Sequence, residues 1–149
     1  GKFCQSYAVP QTMLDTLQAD VSEGVMTGQP SADVDGTGYK LACERLGLKE
    51  IDGYVAQATD WASLAVLTIA KAKEATGVAL KDNVRKISQG GGEKVYTAVE
   101  GLKAIASGKD INYEGASGPC DFTDIGDITD CRFRYMKVAK GKLEFLKLV

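Results

Sequence analysis

Histidine is absent from this chain, which removes Ser-His and Cys-His nucleophilic catalysis and His-ligated zinc, since each needs an imidazole. Ordinary hydrolase chemistry loses its base, no nucleophile and base can be identified as a pair, and neither enzymatic activity nor a cofactor is expected. Long apolar runs are missing too: none approaches the roughly 20 residues needed to cross a bilayer. Positive charge is not in excess, with 18 basic against 20 acidic side chains and a formal net charge of −2. Such a chain has no cationic field to hold nucleic acid or an anionic membrane face, so its expected partners are small molecules or proteins. The four cysteines, Cys4, Cys43, Cys120 and Cys131, lack the two-residue spacings of a zinc knuckle or a redox pair. Gly90-Gly91-Gly92 is not followed by the lysine and hydroxyl residue of a phosphate-binding loop, and reads as a linker.

What remains is an ordinary globular balance: 149 residues, 44 % hydrophobic and 26 % charged, enough apolar material for one core. The chain opens at Gly1 without a methionine or a recognisable cleavable leader, and enters a strand almost at once. A fragment of a longer protein is expected.

Lys2 to Ser6 reads as a short strand. Pro10 suits the first turn of a helix to about Ala19, with Met13, Leu14 and Leu17 inward. Gly24 to Gly28 reads as a strand and Gln29 to Gly38 as a loop. Tyr39 to Leu46 is a helix closed by Gly47, at the position of a left-handed cap. Tyr54 to Ala58 reads as extended, and Asp60 as the N-cap of a long apolar helix, Trp61 to Ala72. Leu80, Val84 and Ile87 mark one further helix; Val95, Val99, Leu102 and Ile105 mark another. The end reads as strands, Pro119 to Phe122, Ile128 to Val138 and Lys142 to Val149, with Cys131, Phe133 and Tyr135 on one face. Alternation of strands and helices, turning antiparallel at the end, gives an α/β class with a mixed, mostly parallel sheet flanked by helices.

Cys120 and Cys131 flank the turn Thr123 to Asp127. If Phe122 pairs with Thr129 they face each other and a disulfide is open to them; a one-residue slip turns one sulfur away. Burial of each cysteine as a small hydrophobe is the alternative. Asp33, Asp35, Thr37, Gly38 and Glu44 approach the spacing of an EF-hand loop, but Pro30 denies an entering helix and Lys40 stands where an apolar residue belongs. Acidic residues at a helix start are the better reading. Asp121, Asp124, Asp127 and Asp130 read as turn formers rather than as a metal site.

From Thr59 onward the residues fall into a wider pattern. Thr59-Asp60 with Ile69-Ala70-Lys71-Ala72 looks like the start and end of a helix in the type 1 periplasmic solute-binding proteins of the branched-chain (hydrophobic) amino acid ABC transporter family. The sharper match, Gly108-Lys109-Asp110-Ile111-Asn112-Tyr113-Glu114-Gly115-Ala116-Ser117-Gly118-Pro119 with Asp121-Phe122 and Gly126-Asp127, closely resembles that family's C-terminal signature. Thr59 stands where that family usually has tyrosine. Upstream, Glu23-Gly24-Val25 resembles the strand by which such proteins cross between lobes. The resemblance implies a two-lobe α/β protein in the periplasm that encloses a small ligand and passes it to an ABC transporter permease. It implies further that residues 1–28 end one lobe, 29–118 belong to the other, and 119–149 return to the first, the N-terminal part being missing. A fragment of that kind is expected to dimerise or swap strands. The same fold also serves as the ligand-sensing part of receptors and regulators, which is the alternative function.

By the same resemblance, Tyr54 falls where an aromatic ring lies against the ligand, a wall with much contact area for little lost entropy. Tyr7, with Gln5 and Ser6, falls near where the family often supplies a carboxylate for the substrate ammonium. Its absence here opens the ligand class to amides, keto acids and aromatic acids. Gln57 and Thr59 fall toward the same implied cleft, with plain capping and strand polarity as the better alternative.

Overall fold

The computed structural model describes residues 1–149. The chain divides into a smaller unit, Gly1–Ser31 with Arg132–Val149, and a larger one, Ala32–Cys131. The divisions fall after residues 31 and 131, against the expected 28 and 118. Both units are mixed α/β, and no helix is long and apolar enough to cross a membrane.

In the smaller unit, β1 (Phe3–Gln5), β2 (Met26–Pro30), β6 (Phe133–Ala139) and β7 (Lys142–Leu148) form a sheet in the order β1-β2-β6-β7. Only β1 and β2 run parallel; β2–β6 and β6–β7 are antiparallel. The β6–β7 hairpin turns through Lys140 and Gly141, both at positive φ (52° and 75°), the conformation a two-residue hairpin turn demands. Val9, Leu14, Val25 and Val138 make the core. The expected helix from Pro10 to Ala19 is two short pieces, α1 (Gln11–Leu14) and α2 (Ala19–Ser22). Only Leu14 of its three apolar residues is buried, and the stretch between the pieces offers only the exposed Leu17, no apolar stripe to hold a helix down. Instead, the Gln11 side chain fastens α1 to the hairpin, donating to the Gly141 carbonyl at 3.0 Å and accepting from the Leu143 amide at 3.2 Å.

The larger unit carries α3 (Thr37–Leu46), α4 (Gly53–Ala72), α5 (Gly77–Ser88) and α6 (Ala98–Ala106) around a sheet of order β3-β4-β5. Its strands are β3 (Glu93–Val95), β4 (Ile111–Gly115) and β5 (Gly118–Pro119), with β3–β4 parallel and β4–β5 antiparallel. The fold therefore holds two mixed sheets in place of one, and parallel pairing is confined to β1–β2 and β3–β4. Gly47 closes α3 at φ 67° and donates to the Glu44 carbonyl at 3.1 Å, as its position after the last periodic residue requires.

The largest departure from expectation is α4. It starts at Gly53, so Tyr54 to Ala58 is helical, and its N-cap is Asp52, whose Oδ1 accepts the Tyr54 and Val55 amides at 2.8 and 2.9 Å. Ala56, Asp60, Leu64 and Leu67 share its buried face, a helical spacing in which a carboxylate takes one apolar place. Thr76 caps α5, and Thr97 with Glu100 forms a capping box on α6. Val95, expected in that last helix, lies instead in β3. Leu64, Leu67, Ile87, Val95, Ile111, Tyr113 and Cys120 pack as one core cluster of this unit. At the surface Lys71 lies 2.6 Å from Asp110 and holds its carboxyl below the usual range.

Between β5 and β6 the hairpin reduces to one bridge, Phe122 with Ile128, and β6 begins only at Phe133. That register is one residue off the pairing that brings the two sulfurs together. Cys120 is a buried free thiol and Cys131 an exposed one, and Cys131 lies outside the strand that carries Phe133 and Tyr135.

Candidate functional site

The segment from Tyr113 to Ser117 and the interior of α4 meet at one carboxylate. Asp60, only 3 % exposed, accepts the Tyr113 hydroxyl at 3.0 Å and the Ala116 amide at 2.8 Å on Oδ1. Its Oδ2 accepts the Ser117 amide at 2.7 Å and the Ser117 hydroxyl at 2.5 Å. A carboxylate has about four acceptor sites, and here four donors occupy them. Asp60 thus acts as a brace between α4 and the β4–β5 turn.

The glycines of the turn follow from this closeness. A Cβ on Gly115 would stand 2.1 Å from Asp60 Oδ1, and one on Gly38 would stand 2.4 Å from the Gly115 carbonyl oxygen. Gly118 sits at φ 112°, where side chains are strained.

The titratable neighbours are held protonated. Burial, then the Asp60 charge, raises the Tyr113 phenol above its ordinary value and keeps it a neutral donor. The same two causes push the Cys120 thiol up to about 12. A thiol of that kind is inert at neutral pH, because the thiolate is the nucleophile.

Two cavities flank α4 within the larger unit. One, of about 350 Å³, is lined by Thr59, Asp60, Ser63, Arg45, Tyr96 and Tyr113 among others. The other, of about 700 Å³, lies between α4, α5 and the loop from Phe122 to Gly126. No group of three or more Cys, Asp or Glu side chains is placed to hold a metal ion. In particular, α3 starts at Thr37 and the Asp33 carbonyl accepts the Gly36 amide at 2.8 Å, a helix entry rather than a calcium loop.

The residues implied to touch a ligand are distributed over both units. Tyr54, half-buried, and Gln57 lie near the N-terminus of α4, one helical turn apart, not on an extended segment. Thr59 follows them and lines the smaller cavity, its hydroxyl donating to the Val55 carbonyl at 2.8 Å. Gln5 ends β1, and Ser6 and Tyr7 form a single 3-10 turn with Ala8, all in the smaller unit. Of the six, only Thr59 lines either of these two cavities. Sequence reasoning missed Asp60, which it took for a cap. The signal was an acid standing in an apolar stripe with Ala56, Leu64 and Leu67, a place where a carboxylate survives only with donors around it.

A scan against protein-family models gives no match to this chain, and neither the curated proteins nor the solved structures searched contain a match.

Proposed function

We propose that this chain is the C-terminal portion of a periplasmic solute-binding protein. It would serve an ABC uptake transporter for branched-chain amino acids or a related small organic solute, binding its ligand without transforming it. One observation carries the reading. The stretch that resembles the family most closely, which runs through Tyr113, Ala116 and Ser117, lies far in sequence from Asp60 of the looser Thr59-Asp60 likeness, yet the two join through the four bonds to Asp60. A buried carboxylate that joins them supports reading the two as parts of one pattern. The chain path gives a second support: the first and last segments share one sheet while everything between them folds as another unit, the connectivity expected of a two-lobe protein with several crossovers.

Within this proposal Tyr54 supplies the aromatic wall and Gln57 and Thr59 stand beside it on α4. Gln5, Ser6 and Tyr7 are the contacts proposed on the smaller unit, and the permease is the protein partner.

The test uses the complete reading frame. Branched-chain amino acids, amides, keto acids and aromatic acids are screened by thermal shift, and one class is expected to stabilise it, by about 2.7 kcal/mol at a hundredfold excess over Kd. Tyr54→Ala is expected to weaken that ligand about tenfold or more. Permease genes beside the frame favour the transport role, whereas an attached output domain favours a sensor. A complete frame near the present length, or the absence of any shift, would overturn the proposal.

A further inference from the structure

The cavity of about 700 Å³ has no place in the proposed function, and its volume is that of an ordinary small-molecule site. Its inner wall is apolar: Leu64 is buried on α4, Val84 on α5 is half-buried, and Phe122 closes the side. Two large apolar side chains stand open on its rim, Trp61 at 66 % and Ile125 at 87 % exposure. The loop that carries Phe122 and Ile125 is tied down. Gln89 accepts the Phe122 amide at 2.7 Å and donates to the Phe122 carbonyl at 3.2 Å, while the Arg85 guanidinium donates to the Thr123 carbonyl. The cavity is thus preformed on at least one wall, which lowers the ordering cost of filling it.

One polar group among the lining residues is unsatisfied. Thr68 is fully buried, and its Oγ1 has no hydrogen-bond partner. A threonine in a helix ordinarily satisfies its hydroxyl on a backbone carbonyl of the preceding turn, and a buried hydroxyl left unmade costs about 1–3 kcal/mol. Charge at the cavity is balanced, with Lys81 and Arg85 against Asp82 and Asp124. An ion of either sign therefore finds no net counter-charge there.

We propose that this cavity is a second ligand site, selective for an uncharged aromatic molecule carrying one hydroxyl or carbonyl group. Its ring lies against Trp61, Val84 and Phe122, and its polar group bonds the Thr68 hydroxyl. The site uses none of the residues assigned to ligand contact above except through the shared helix α4, so it stands or falls separately from the transport reading.

Trp61 is the only tryptophan of the chain, which makes its emission a reporter of this cavity alone. The chain is titrated with p-cresol and, as a control lacking the polar group, with toluene, with excitation where neither absorbs. Both are expected to change the Trp61 emission saturably, and Ala65→Phe, which fills the cavity, is expected to abolish both responses. Thr68→Val keeps the shape and removes the hydroxyl. It is expected to weaken p-cresol about five- to tenfold, leave toluene within about twofold, and raise the denaturation midpoint of the free chain. No response to either probe, an equal loss of both on Thr68→Val, or an unchanged p-cresol affinity would overturn the proposal. So would a concentration-dependent dimer in sedimentation whose Trp61 emission is already shifted without ligand, since a second copy would then occupy the face.

Discussion

The Asp60 carboxylate accepts the Tyr113 hydroxyl at 3.0 Å across 53 positions of sequence, and both groups are buried. Three more donors, from Ala116 and Ser117, converge on the same carboxylate. Removing the acceptor therefore orphans several groups together. Asp60→Ala is expected to destabilise the larger unit by about 3–5 kcal/mol, and Asp60→Asn by less, because one oxygen can still accept. Chemical denaturation of the variants checks this. Tyr113→Phe, which takes away one donor of four, is expected to cost less than either.

The turn glycine offers a separate test of the same contact. Gly115→Ala places a methyl 2.1 Å from Asp60 Oδ1, so the carboxylate must leave its donors or the turn must move. A loss of about 2–4 kcal/mol is expected. Combining Gly115→Ala with Asp60→Ala should cost much less than the sum of the two, since the clash disappears with the carboxylate. Additive losses would place the strain elsewhere.

Much of the chain was legible before its structure. The helical spacing of Tyr39, Ala42 and Cys43 with Gly47 behind them marks α3, and Leu80, Val84 and Ile87 mark α5, because in both an apolar stripe coincides with an end signal. Other elements hid their stripe. The first two turns of α4 bury Gly53, Ala56 and Asp60, residues that carry no large apolar side chain, so Tyr54 to Ala58 read as extended. The strand β4 buries Ile111, Tyr113 and Gly115 in alternation, yet it is short and ends in a glycine packed against Asp60. The sulfur pair failed on register, which a hairpin held by one bridge does not reveal in its sequence. The implied ligand contacts had no periodicity at all to display, since they rest on resemblance.

Thiol chemistry should separate the cysteines. With an aromatic disulfide reagent at mildly alkaline pH, Cys131, exposed, is expected to react first, while Cys120 and Cys43, both buried, react only as the chain unfolds. Reductant should not raise the thiol count of the native protein. Loss of two thiols restored by reductant would point to a Cys120–Cys131 bridge and a register shifted by one residue.

Stability should fall in alkali for a stated reason. The Cys120 thiol is raised to about 12 and the Tyr113 phenol is raised as well, whereas unfolding returns them to about 8.5 and 10. Above those unfolded values the unfolded state loses protons that the folded state retains. Stability is therefore fully present below about pH 8.5 and declines as pH rises toward the folded values, by about 1.4 kcal/mol per unit for each group in its window. Cys120→Ala starts lower but should show a shallower decline from pH 9 upward in urea denaturation. An unchanged slope would remove Cys120 from the account.

The discontinuity of the smaller unit has a bearing on how the chain is made. Strand β2 finds its partner β6 only after the whole of Ala32–Cys131 has been synthesised, whereas the larger unit is a single continuous stretch. On a ribosome the larger unit can be finished while β1 and β2 still wait with one side unpaired, an exposed edge of the kind that invites aggregation. Mutations that slow the larger unit would then prolong that wait, and their damage would surface as insoluble protein before any change in equilibrium stability became visible.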